Sequence, residues 1–171
     1  AILLFLSVLF FACKSPRERQ RQPDQGNNTE DLIRNHQNIV KEESDEIDSY
    51  ISRRKLEMNT TETGLRYAII NGDGSGKKIE DETQVLINYS VALLDGSVVY
   101  DSDSIGLLQF KIGKSEVASG LQEGLKLMKE GDKAVFVIPS HLADGLTGDG
   151  DKIKQYQVLV VNVESLRVVG E

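Results

Sequence analysis

The chain has one cysteine, no tryptophan, two histidines and three prolines among its 171 residues. A lone thiol can build neither an internal disulfide framework nor a zinc site made from paired cysteines. Positive charge is also scarce: 20 Lys and Arg stand against 27 Asp and Glu, for a formal net charge of −7. A nucleic-acid surface needs a basic stripe or patch, so no nucleic-acid partner is expected. Asp149 and Asp151, in the run GDGDK, have the chemistry of cation ligands but lack the further ligands of a calcium loop, and a solvated loop is the better reading. No metal and no cofactor are expected. A scan for nucleophile–base–acid triads also finds nothing.

Long apolar runs are absent except at the start, where Ala1 to Ala12 reads AILLFLSVLFFA and stops abruptly at Cys13, Lys14 and Ser15. This run is shorter than the roughly 20 residues of a spanning helix and suits the apolar region of a secretory signal. With no Met or basic leader before Ala1, the natural start is expected a few residues upstream. Ala12 directly before Cys13 resembles the lipobox of bacterial lipoproteins, although Phe10 and Phe11 depart from the Leu and small residues common there. That resemblance implies acylation of Cys13 and a cell-envelope, lipid-anchored, extracytoplasmic protein. Each buried methylene of the acyl chains would contribute about 0.8 kcal/mol to attachment. The plainer alternative is a free or buried thiol beside an ordinary signal.

Residues 14–30, KSPRERQRQPDQGNNTE, contain almost no apolar side chain and cannot offset the entropy of ordering. Beyond them Ile33, Val40, Ile47 and Ile51 recur at near-helical spacing, with Thr29 as a possible N-cap, and predict a helix from about Glu30 to Leu56. The acidic residues Glu42, Glu43, Asp45, Glu46 and Asp48 spread around that helix and read as a solvated face. The narrow stripe predicts that the helix either docks on the following domain or forms a homodimer through residues 30–56. The resulting division is a signal segment over 1–12, a tether over 13–29, a helix over 30–57 and a folded domain over 64–168.

From Gly64 the period changes to two. Leu65, Tyr67 and Ile69 alternate with polar or small neighbours, and NGDGSG follows as a turn. Val85, Ile87, Tyr89, Val91 and Leu93 share one face of the next strand, and Asp95-Gly96 suits a two-residue hairpin leading into Val98, Val99 and Tyr100. After an apolar run over Leu107 to Ile112, Ser119 and Gln122 have the spacing of a capping box opening a short helix, with Leu121, Leu125 and Met128 on one side. Strands over Lys133 to Ile138 and Gln157 to Leu166 complete an α+β fold: about five antiparallel strands and one short helix, with a groove between the helix and the strand ends.

The order of Tyr89, Asp95-Gly96, Tyr100-Asp101, Gly113, Glu116-Val117, Gly120, Glu123-Gly124, Met128, Gly131, Pro139-Ser140 and Gly145 resembles the FKBP-type peptidyl-prolyl isomerases over most of residues 84–166. With the lipobox, the preceding helix and the loop GLTGDGDKI, the chain is also similar to lipoprotein isomerases associated with gliding motility. The resemblance implies a half-open antiparallel sheet wrapped on the short helix, with an apolar pocket for a prolyl ring of proline-containing polypeptide clients. It places catalytic positions at Tyr100, Asp101 and Asp144, and substrate-binding positions at Tyr89, Leu108, Val117, Ala118, Leu121, Ile153 and Val161. The backbone N–H at Ala118 is the position that binds a ligand carbonyl. Departures are equally specific: Asp144 stands where Tyr is usual, Leu121 where Trp is frequent, Leu108 and Val161 where aromatics are common, and Lys154-Gln155 where a Pro pair is frequent. Taken without the resemblance, Tyr89 and Tyr100 are sheet-packing residues, Asp101 is a turn residue, and the two histidines are solvated. The functional alternatives are a membrane-tethered isomerase assisting exported proteins and a catalytically weak peptide-binding or chaperone module of the envelope or gliding machinery.

Overall fold

The computed structural model describes residues 25–70, 75–143 and 148–170, with side chains from Thr29 onward. Helix α1 spans Gln25–Arg54, so it begins before the expected Glu30, and Thr29 lies inside it rather than at its cap. Its end is set by Lys55 at φ 53°, where the Lys55 N–H donates to Ser52 O and the Leu56 N–H to Ile51 O. This pair of bonds satisfies the last carbonyls of the helix with a left-handed residue just beyond it.

Seven antiparallel strands form one sheet: β1 (Asn59–Thr60), β2 (Arg66–Ile70), β3 (Gln84–Leu93), β4 (Val98–Asp101), β5 (Leu108–Lys111), β6 (Lys133–Ile138) and β7 (Leu159–Val168). Their order is β1-β2-β6-β7-β3-β4, and β5 pairs with the first half of β3. A one-turn helix α2 (Ser102–Ile105) follows β4, helix α3 (Ser119–Lys126) precedes β6, and a 3-10 turn over Ser140–Leu142 follows it. The two strands beyond the expected five are the short β1 and β5, which lies within the apolar run over Leu107 to Ile112. The β3–β4 turn is longer than the expected two residues. Leu93 N–H donates to Ser97 O, and Gly96, at φ 91°, donates back to Leu93 O, leaving a three-residue loop closed by a left-handed glycine.

Register explains the two cores. Tyr100, Val91, Val161, Phe136 and Tyr67 are successive partners across five strands and therefore share a face. That inner face, with buried Val85, Ile87, Ala134, Ile138, Val163 and Leu166, packs on Leu121, Leu125 and Met128. Helix α3 lies so close that a Cβ on Gly124 would stand 2.6 Å from Phe136 Cε1. The alternate residues Val137, Val158 and Val160 point to the outer face, where Ile47 and Tyr50 of α1 cover them. The apolar stripe of α1 thus divides: Ile47 and Ile51 dock on the sheet, whereas Leu32, Ile33 and Val40 remain exposed.

Candidate active site

The expected pocket positions come from several elements, and all but Asp101 and Asp144 belong to the one hydrophobic cluster of the inner face. Tyr89 comes from β3, Tyr100 and Asp101 from β4, Leu108 from β5, Val117 and Ala118 from the approach to α3, and Leu121 from α3 itself. Val161 arrives on β7 and Ile153 from the segment before it. Leu121, Ile153 and Val161 are buried, and Tyr89, Tyr100, Leu108, Val117 and Ala118 are half-buried against the same cluster. Asp144 and Cys13 lie outside the described residues.

The expected capping box is absent. Ala118 is the N-cap of α3, Ser119 is the first helical residue, and no side chain caps the end. Ala118 O accepts from the N–H groups of Leu121 and Gln122, but among the described residues the Ala118 N–H itself has no hydrogen-bond partner. Gln122 serves the loop instead. Its Oε1 accepts from Gly113 N–H at 2.7 Å, and its Nε2 donates to Val117 O at 2.7 Å and to Ser115 O at 3.2 Å. One amide side chain therefore pins residues 113–117 and fixes where Val117 stands. The Ser119–Gln122 spacing drew attention to the right residue for the wrong reason.

Asp101 ends β4 and caps α2, accepting from Asp103 N–H at 2.8 Å, which is the turn reading of that residue. The following Ser102 is buried and ties α2 to β3: its Oγ accepts from Tyr89 N–H at 3.0 Å and donates to Asn88 Oδ1 at 2.6 Å. Burial pushes the Tyr89 phenol above its ordinary pKa, so it remains a neutral, amphipathic wall at physiological pH. Tyr100 is held from outside the pocket. Its hydroxyl donates to Asp149 Oδ2, and the Lys152 ammonium lies over its ring, 5.0 Å from the centroid, while donating to Val99 O at 3.0 Å. Asp149 Oδ1 accepts from the N–H groups of Asp151 and Ile153 at 2.9 and 2.8 Å. The GDGDK acid that resembled a cation ligand is thus a local organiser of the segment carrying Ile153. Sequence alone carries no signal for the pairing of Tyr100 with Asp149, which lie 49 residues apart.

No cluster of His, Cys, Asp and Glu suited to a metal occurs among the described residues. Among them, too, no helix is long and apolar enough to cross a membrane. His141 is exposed, and its Nε2 lies 3.0 Å from Thr63 O, away from any nucleophile–base arrangement. What remains is a set of partly buried apolar side chains on the inner core, with the Ala118 backbone N–H at the start of a helix.

The comparisons with known proteins agree with this architecture. The chain is 37% identical over 111 residues to a probable FKBP-type peptidyl-prolyl cis-trans isomerase FkpA of Neisseria meningitidis, covering 65% of this chain and 40% of that one. A probable FKBP-type isomerase of Haemophilus influenzae is 34% identical over 130 residues, covering 75% and 52% of the two chains. The chain therefore spans about half the length of these relatives or less. Among solved structures, the crystal structure of FkpA from Escherichia coli superposes with a TM-score of 0.62 at 28% identity, covering 87% of this chain and 74% of that one. A peptidyl-prolyl isomerase of Pseudomonas syringae gives the same TM-score at 26% identity, covering 78% and 96%. Residues 75–166, more than half of the chain, match the family described as FKBP-type peptidyl-prolyl cis-trans isomerase, and the chain belongs to that family.

Proposed function

We propose that the chain is a peptidyl-prolyl cis-trans isomerase acting on proline-containing segments of exported polypeptides, held at the extracytoplasmic face of a membrane through lipidated Cys13. The observation that carries the catalytic part is the packing of partly buried Tyr89, Tyr100, Leu108, Val117 and Ala118 in one cluster with buried Leu121, Ile153 and Val161, and an Ala118 N–H that has no partner among the described residues. The anchoring part rests on the apolar run that ends at Cys13.

The reaction requires no nucleophile. Rotation about an X-Pro bond is slow because a barrier of about 18–20 kcal/mol protects amide resonance, which only the planar isomers retain. The twisted amide has lost that resonance and carries less charge on its carbonyl oxygen. A pocket that binds the twisted state better than either planar isomer lowers the barrier. Apolar walls favour the less polar state, and an N–H fixed at the α3 terminus holds the peptide backbone while the bond turns. Tyr89 and Tyr100 supply two of these walls, and Asp149 and Lys152 keep Tyr100 in place.

A second reading is a peptide-binding or chaperone module with little turnover. It is supported by Leu108, Leu121 and Val161 at places where the family commonly has aromatics, and by Asp144, which can only accept hydrogen bonds when ionised. The exposed stripe of Leu32, Ile33 and Val40 supports a homodimer through residues 30–56, made by the part of α1 before Ile47.

Proline-limited refolding in the presence of the full chain separates the readings. The isomerase reading expects refolding faster than the uncatalysed rate, and a further gain on Asp144→Tyr. An unaltered refolding rate together with retained binding of proline peptides would establish the second reading instead.

A further inference from the structure

Glu43 is a carboxylate on α1, outside residues 75–166, yet it is only 6% exposed. Buried carboxylates are costly unless their oxygens receive hydrogen bonds, and both oxygens here go to a single residue of the isomerase domain. Glu43 Oε2 accepts from the Ser140 backbone N–H at 3.0 Å, and Oε1 accepts from the Ser140 Oγ at 2.5 Å. Two bonds to one residue set orientation as well as position, and charge-assisted bonds are the stronger kind. Ser140 is itself 4% exposed and opens the 3-10 turn that follows β6.

That turn is joined to the candidate active site by packing and by a hydrogen bond. Leu142 and Ala143, at its end, pack on the same cluster as Tyr89 and Tyr100. Leu142 O accepts from Ser119 Oγ at 3.2 Å, joining the turn to the first residue of α3, next to the Ala118 N–H. A Cβ on Gly120 would stand 3.0 Å from Leu142 Cβ, so the turn and the helix start are in close contact. On the next turn of α1 the buried Arg66 of β2 donates to Ser44 Oγ at 2.9 Å and to Asp48 Oδ1 at 3.1 Å, anchoring the same stretch of helix.

We infer that Glu43 is a positioning residue for the isomerase site, holding the Ser140–Leu142 turn so that the pocket wall and the Ala118 N–H keep the geometry that twisted-amide binding requires. This inference rests on the isomerase reading for its activity readout and adds a part of the chain that the family match does not cover. Helix α1 then acts on catalysis as well as on the packing of the outer sheet face.

The test uses the full chain in mild detergent, with Glu43→Ala, Glu43→Gln and Ser140→Ala compared at a temperature where all are folded by circular dichroism. Amide hydrogen exchange is measured beside kcat and KM for a proline tetrapeptide. Glu43→Ala is expected to lower kcat/KM roughly tenfold, within the range that small misplacements of catalytic geometry produce. Its exchange should accelerate at residues 118–121 and 140–143 while the β3–β7 ladder stays protected. Glu43→Gln keeps an acceptor for the Ser140 N–H, and its amide can donate to Oγ, so it should recover most of the loss. The inference is overturned if the wild-type chain is active while Glu43→Ala matches it within about twofold, a change smaller than lost positioning produces. It is equally overturned if exchange at residues 118–121 is unchanged in Glu43→Ala. A wild-type chain with no activity refutes the isomerase reading alone, and the exchange comparison then decides whether Glu43 sets the turn and the start of α3.

Discussion

Tyr100 shows how a side chain legible in one respect is invisible in another. Its place on the inner face follows from strand alternation, since it pairs with Val91, which pairs with Val161. Its restraint by Asp149 does not follow, because a contact between a strand and a distant loop leaves no periodic trace. The carboxyl of Asp149 is pushed up by desolvation, but the Tyr100 phenol and the N–H groups of Asp151, Ile153 and Lys152 outweigh this and set its pKa below the ordinary 3.8. A depressed carboxylate pKa contributes order above the ordinary value, and that contribution fades as pH falls through the lowered value. Asp149 is exposed, so the effect is local rather than global. Tyr100→Phe and Asp149→Ala are each expected to speed amide exchange at Asp151 and Ile153 at neutral pH. The difference from wild type should shrink in acid, below pH 3.8. Equal exchange in wild type and both variants at neutral pH would show that the loop is held by other contacts.

At the scale of elements, strands were read correctly wherever one face is buried, because alternation then has a physical cause. Ala134, Phe136 and Ile138 face α3 while Val135 and Val137 face α1, so β6 is apolar on both sides and reads as a continuous run. At the start of α3 the Ser119–Gln122 spacing imitates a capping box, but Gln122 spends its amide on residues 113–117 and the Ser119 Oγ donates to Leu142 O. The close packing of α3 depends on two glycines. A methyl at Gly124 would meet Phe136 Cε1 at 2.6 Å and Cζ at 2.8 Å, and Phe136 is fully buried and cannot withdraw. Gly124→Ala should therefore destabilise the fold in spite of its better helix propensity, by about 1–3 kcal/mol as overpacked cores do. A urea titration reads this directly. A midpoint at or above that of wild type would mean that α3 can lift from the sheet without loss.

For the whole molecule, the question is whether α1 is an accessory or part of the fold. The periodic stripe of α1 is legible along the chain, whereas the half of it that docks is set by the outer face of the sheet, assembled from β6 and β7 far along the chain. The structure assigns the second half: Ile47 is fully buried and Tyr50 is 6% exposed against Val137, Val158 and Val160. Burying one such aliphatic side chain contributes about 1.5–3 kcal/mol, a large share of a total stability of about 5–15 kcal/mol. Removing α1 would also uncover three adjacent valines on a sheet face, and exposed apolar patches of that kind drive association. A chain beginning at residue 58 is therefore expected to unfold at lower urea concentration and to sediment as larger species. Ile47→Ala in the full chain should lower the urea midpoint by itself, at a cost of about 2–5 kcal/mol. If the truncated chain instead stays monomeric with an unchanged midpoint, the outer face does not need its helix. Activity measured on the isomerase segment alone would then be a fair measure of the full chain. If the expected loss is found, a weak rate from that segment says nothing about the pocket, because the turn that Glu43 holds has been released along with the helix.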